Sequence, residues 1–132
     1  MNAIEAEPPC VLLVDDDPAI LESYSLIFSA AGYRVRCAKD GAQALNMLRH
    51  GDFRPCLVVL DLMMPGVDGF EFLARRAQDE QLRSVPVIVC SSIDDLSPFR
   101  AAGDANAWLP KPVDVPTLLQ HAAVWGRATQ VQ

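Results

Sequence analysis

Lysine is almost missing from this sequence: Lys39 and Lys111 are the only two in 132 residues, and the other nine basic residues are arginines. Bases total 11 against 17 acids, a net charge of −6. Neutralising a phosphate backbone takes a surplus of Lys and Arg, so this balance argues against direct nucleic-acid binding. It equally disfavours docking on an anionic membrane surface. No apolar run approaches the ~18 residues of a membrane-spanning helix. A secretory signal would need a basic start followed by an apolar stretch, but Glu5 and Glu7 come first and the first basic residue is Arg34. These absences predict a cytoplasmic protein. Paired cysteines are lacking as well. Cys10, Cys37, Cys56 and Cys90 are scattered without a Cys-x-x-Cys pair, each in or beside a short apolar run, so all four read as small buried hydrophobes.

What is present suits one compact domain. Hydrophobic residues make up 51% and charged residues 21%, a globular composition rather than a disordered one. A fold of this length buries roughly two-thirds of its unfolded surface and needs no metal or disulfide to hold together. Short apolar runs alternate with helix-period segments, the pattern of a parallel sheet with crossover helices. The expected strands are Cys10–Val14, Tyr33–Cys37, Cys56–Leu60, Val85–Cys90 and Ala105–Leu109. The first, third and fourth are apolar almost throughout, as strands covered on both faces should be. The second alternates with Arg34 and Arg36 and reads as an edge strand. Helices are expected over Pro18–Ala31, Gly41–His50, Gly69–Gln78, Ile93–Ala102 and Val115–Arg127. Asp17 and Asp40 are the N-caps of the first two, with Pro18 at the first helical position and Gly32 and Gly51 as stops. Five alternating βα units give a doubly wound α/β domain over residues 9–127, with tails at 1–8 and 128–132.

Open parallel sheets bind ligands beyond the carboxyl ends of their strands. There the sequence places Asp15-Asp16-Asp17 after strand one, Asp61 after strand three, Ser91-Ser92 after strand four and Pro110-Lys111-Pro112 after strand five. With strands one, three and four adjacent, Asp15, Asp16 and Asp61 converge in one pocket, and Ser91 and Lys111 line its rim. Clustered carboxylates raise one another's pKa unless a cation compensates. Oxygen ligands of this kind suit Mg²⁺, which takes one or two carboxylates, keeps waters and accepts a phosphate oxygen. Three carboxylates, one Mg²⁺ and one Lys⁺ sum to zero, and such a site is built to receive a phosphoryl group whose oxygens Lys111 and Ser91 can hold. Each residue alone has a blander reading, as cap, loop or surface group; the inference rests on four strand ends in order.

Val-Asp-Asp-Asp-Pro, Leu-Asp-Leu-Met-Met-Pro-Gly-Val-Asp-Gly, Pro-Val-Ile-Val-Cys-Ser-Ser and Leu-Pro-Lys-Pro together resemble the four signatures of two-component response-regulator receiver domains. The resemblance covers about Pro9 to Val124. It implies a flavodoxin-like sheet of order 2-1-3-4-5 and a phosphorylation-dependent switch. Asp61 would be the phosphoacceptor, taking the group from a histidine kinase or phosphotransfer protein. Asp16 and Asp61 would bind Mg²⁺ directly, Asp15 through water, and Met63 through its backbone carbonyl. Ser91 stands where the family has Thr or Ser, and Lys111 matches its lysine, whose bond to Pro112 is often cis in the family. The change would pass to a protein target through the face of the fourth helix, fifth strand and fifth helix.

Two departures stand out. Trp108 occupies the switch-aromatic position three residues before the lysine, where the family usually has Tyr or Phe. Met63 and Ile93 lie two residues beyond Asp61 and Ser91, positions whose side chains flank the phosphoryl group in the family; being apolar they would not orient an attacking water, which implies slow autodephosphorylation. The fourth helix, with Asp94, Asp95 and Pro98, has little apolar periodicity to anchor it, as suits a mobile signalling element. Ala128–Gln132 is too short for an output domain, which leaves a stand-alone regulator or a receiver cut from a longer chain. A haloacid dehalogenase-type phosphatase is the enzyme alternative. Its Asp-x-Asp-x-Thr/Val signature fails here because Pro18-Ala19 follow the acids, and Asp61 would have no role. A receiver-like module that is never phosphorylated would have lost the acids or the lysine, and all are present.

Overall fold

A computed structural model describes residues 8–51, 54–93, 96–98 and 105–130. Five parallel strands, β1 (Cys10–Val14), β2 (Arg34–Ala38), β3 (Leu57–Asp61), β4 (Val87–Ser91) and β5 (Ala107–Pro110), form one sheet in the order β2-β1-β3-β4-β5. Helices α1 (Pro18–Ala30), α2 (Gly41–His50) and α3 (Gly69–Ala77) and a last helix, Val115–Gln130, connect and cover them. The central strands β1, β3 and β4 are buried along their whole length, which their unbroken apolar runs require. Alternation along each strand divides the core in two. Leu12, Val14, Val58, Leu60, Val87, Val89 and Trp108 pack with Leu45 and Leu48 of α2 and Phe72 and Leu73 of α3. On the other face Val11, Leu13, Leu57, Val59, Ile88 and Cys90 pack with Phe28 of α1 and Leu118 and Ala122 of the last helix.

The helix starts follow from short acidic caps. Asp17 accepts from the Ala19 amide at 2.9 Å, Asp40 from the Gln43 amide at 2.7 Å and Asp68 from the Glu71 amide at 3.0 Å, each satisfying an orphan N–H of a first turn. No helix among the described residues is long and apolar enough to cross a membrane.

The structure shifts several expected boundaries. β4 starts at Val87, not Val85, because Pro86 has no N–H to give a neighbour; its carbonyl still accepts from the Val58 amide at 2.9 Å. β5 starts at Ala107, since Asn106 instead turns its side chain to accept from the Val87 amide at 2.9 Å. β2 and β3 each begin and end one residue later than expected, at Arg34–Ala38 and Leu57–Asp61. The last helix continues beyond Arg127 to Gln130, there being no Gly or Pro in Ala128-Thr129-Gln130 to stop it. Of the expected fourth helix, residues 94–95 and 99–102, including Asp94 and Asp95, lie outside the described residues. Cys37 is exposed, contrary to the reading of all four cysteines as buried. It sits on the edge strand, with the Ser25 hydroxyl of α1 3.5 Å from its sulfur. Cys10, Cys56 and Cys90 are buried as expected, and burial pushes the Cys56 and Cys90 thiols up to about 11 and about 12.

Gly69 ties the fold to the strand ends. A Cβ there would stand 2.5 Å from the Asp61 carbonyl oxygen and 2.6 Å from the Leu62 Cα, both backbone atoms that cannot swing aside. Gly69→Ala is therefore expected to push α3 off the end of β3 and to destabilise by about 2 kcal/mol, the range of core overpacking. Urea denaturation measures it; an unchanged midpoint would show that α3 does not approach so closely.

Candidate functional site

The carboxyl end of the sheet gathers the residues singled out above. Asp15 follows β1 directly and is buried, its backbone N–H donating to the Ala38 carbonyl at 3.1 Å. One carboxylate oxygen accepts from the Asp17 amide at 2.9 Å, which turns the side chain inward; the other accepts from Lys111 Nζ at 3.1 Å. Asp61, the last residue of β3, is 8% exposed, and one oxygen lies 3.5 Å from Lys111 Nζ and 3.5 Å from the Met63 amide. Asp16 is exposed at the mouth. One carboxylate oxygen from each of Asp15, Asp16 and Asp61 falls within a 4.8 Å cluster.

Lys111 reaches this cluster because its loop is held at both ends. Its backbone N–H donates to the Ser91 carbonyl at 2.7 Å, and its bond to Pro112 is cis. Further on, Asp114 accepts from the Thr117 amide and hydroxyl at 3.1 and 2.6 Å, which lowers its pKa and starts the last helix. Ser91 is fully buried at the end of β4, its hydroxyl accepting from the Ile93 amide at 3.1 Å.

The charges oppose one another as a cation site requires. Burial pushes the Asp61 carboxyl up from its ordinary value, the Lys111 charge draws it down and Asp15 pushes it up again, for a net rise. Burial pulls the Lys111 ammonium down, but the hydrogen bond and charge of Asp15, with the charge of Asp61, outweigh it and leave its pKa raised. Three carboxylates and one ammonium leave a formal charge of −2, which a divalent cation would neutralise, and the all-oxygen donor set is the kind Mg²⁺ takes.

A pH dependence follows. With its pKa raised in the fold, Asp61 binds a proton more tightly in the native than in the unfolded chain. Without metal, its contribution is therefore present below the ordinary carboxylate range and lost as pH rises through the raised native value. The Lys111 contribution is present below the ordinary lysine pKa and lost only as pH rises through its higher native one. In metal-free buffer, the urea midpoint of Asp61→Asn minus that of the wild type should grow as pH climbs through the Asp61 titration. A constant difference would mean that the carboxyl is not perturbed.

Some neighbours were not anticipated. Leu21 and Tyr24 of α1, with Cys90 and Val59, close a cavity of about 10 Å³ behind Asp15 and Asp61, no more than one water's space. Burial, then the charges of Cys90, Asp15 and Asp61, push the Tyr24 phenol well up. The i, i+3 spacing of Leu21 and Tyr24 on the first helix was the available signal; that Cys90 lies beside Asp61 follows only from the β3–β4 register. The Asp68-Gly69 pair has a structural role: one caps α3, the other lets it approach Asp61. Trp108 is buried on β5 opposite Val89, in the cluster that holds Leu96, with Ile93 and Ala105 packed against it. Met63 stands at the open side, 58% exposed.

The profile of the response regulator receiver domain matches residues 11–123. The chain belongs to that family. Among its relatives, the DNA-binding dual master transcriptional regulator RpaA of Synechocystis is 36% identical over 125 residues, covering 92% of this chain and 50% of that protein. The response regulator MprA of a Mycobacterium strain is 41% identical over 128 residues, covering 92% and 52%. The chain thus spans about half the length of these relatives. A CheY-like response regulator receiver domain protein of Methanospirillum hungatei shares the fold with a TM-score of 0.81 and 25% identity, over 94% of this chain and 98% of that one. The receiver carries the expected sheet order, and both of these relatives are named as regulators.

Proposed function

We propose that this receiver accepts a phosphoryl group on Asp61 from the phosphohistidine of a histidine kinase or phosphotransfer protein and relays the change to a protein partner. The observation that carries the reading is the buried Asp61 carboxylate within 3.5 Å of Lys111 Nζ, in one cluster with Asp15 and Asp16. An Asp61 oxygen attacks phosphorus, the P–N bond breaks, its electron pair leaves with the imidazole, which takes up a proton, and an aspartyl phosphate remains. Lys111 and the Ser91 hydroxyl would hold the phosphoryl oxygens where charge develops. Asp16 and Asp61, the Met63 carbonyl and, through water, Asp15 would hold Mg²⁺, which when bound supplies positive charge to those oxygens.

In the same reading Ser91 turns toward the phosphoryl group and Trp108 follows as the switch aromatic, changing the surface around β5. The downstream partner is a protein, as the net charge of −6 favours; the DNA binding named for RpaA belongs to a protein of which this chain spans half. The domain works in the cytoplasm, and its only turnover is of its own phosphoryl group.

The test is incubation with acetyl phosphate in Mg²⁺ or in EDTA, read by intact mass. A single phosphoryl adduct is expected in Mg²⁺ and little or none in EDTA. An adduct of equal yield in both would remove the metal from the reading, and none in either would remove the acceptor.

A further inference from the structure

We infer that Met63 is an oxidation site through which peroxide shortens the life of the phosphorylated state, an inference that rests on reading Asp61 as the phosphoryl acceptor. Two observations meet at this residue. Met63 is 58% exposed, whereas its neighbour Met64 is 8% exposed and Met47 is partly buried against the core. Its amide also points at an Asp61 carboxylate oxygen, 3.5 Å away. Two residues of chain span at most ~7 Å between Cα atoms, so the thioether lies within a side chain's reach of the group that Asp61 would carry.

The chemistry balances without help from the protein. A sulfur lone pair attacks one peroxide oxygen, the O–O bond breaks, the S=O bond forms, and the remaining oxygen leaves as water. Sulfur is oxidised by two electrons and the peroxide is reduced. The product replaces an apolar, flexible side chain with a polar one, and reductases can reverse it. A thioether offers water almost nothing. A sulfoxide oxygen accepts a hydrogen bond from a water molecule while leaving that water's lone pair free to attack phosphorus. The same residue that protects the acyl phosphate when reduced would expose it when oxidised.

The experiment treats the folded protein with dilute hydrogen peroxide, removes the oxidant with catalase, and locates sulfoxide by tandem mass spectrometry. The protein is then phosphorylated with acetyl phosphate and Mg²⁺, and phosphoryl loss is timed. Met63 is expected to oxidise about tenfold faster than Met64 or Met47, following exposure. The phosphoryl lifetime should fall about tenfold, the scale of positioning one reacting water, and methionine sulfoxide reductase should restore it. Met63→Leu should not respond to peroxide, and Met63→Gln should be short-lived without it. Equal oxidation of Met64 or Met47, or an unchanged lifetime in the oxidised wild type, would overturn the inference. So would a response that persists in Met63→Leu, which would trace it to another group such as the exposed Cys37. If the untreated protein takes up no phosphoryl group on Asp61, the acceptor reading fails and this inference with it. If uptake is normal and only the response to peroxide is missing, the inference alone fails.

Discussion

Asp61→Asn should take up no phosphoryl group from acetyl phosphate under conditions in which the wild type gains one. The amide keeps the shape of the carboxylate but lacks a nucleophilic anion, and the neighbouring acids are badly placed to replace it. One Asp15 oxygen is bound by the Asp17 amide and the other by Lys111. Asp16 is exposed and lacks the direct Lys111 contact at 3.5 Å that Asp61 has. Loss of the adduct should be essentially complete, read by intact mass. The variant should still fold, because Asn preserves the volume of a group whose charge burial disfavours. An adduct of wild-type yield in Asp61→Asn would move the acceptor elsewhere.

The second large effect concerns persistence. Replacing Met63 with Asn and Ile93 with Glu should shorten the phosphoryl lifetime by at least about tenfold, since a positioned polar group commonly accelerates a step by 10² or more. Met63 is exposed beside Asp61, and Ile93 is partly buried, its amide donating to the Ser91 hydroxyl at 3.1 Å. Isoleucine offers water no hydrogen bond and a thioether only a weak one, so the native pair leaves an attacking water unoriented. Timing phosphate loss after acetyl phosphate is removed decides the matter; an unchanged or longer lifetime would contradict it.

Much of this architecture was legible because central parallel strands have one requirement, burial on both faces. Cys10–Val14 meets it so fully that its limits came out unchanged. The acids at the strand ends were equally legible, since Asp15 and Asp61 each directly follow the last apolar residue of such a run. What misled was chemistry outside that requirement. Pro86 reads as part of an apolar strand but cannot donate to a neighbour. Cys37 reads as buried by residue type, yet it lies on the edge strand of the sheet and its thiol is exposed there. The Tyr24 contact behind the carboxylates depends on how α1 is rotated over the sheet, which spacing narrows but does not settle. The role of Gly69 depends on a backbone approach that no side-chain pattern encodes.

The central claim is that Asp61 itself becomes the acyl phosphate, and reductive trapping tests it most directly. Borohydride reduces an aspartyl phosphate to homoserine and leaves free carboxylates intact. The phosphorylated wild type, trapped, digested and sequenced by mass spectrometry, should carry homoserine at position 61 only. Homoserine at position 15 or 16, or none at 61 despite a phosphoryl adduct on the intact protein, would contradict the account.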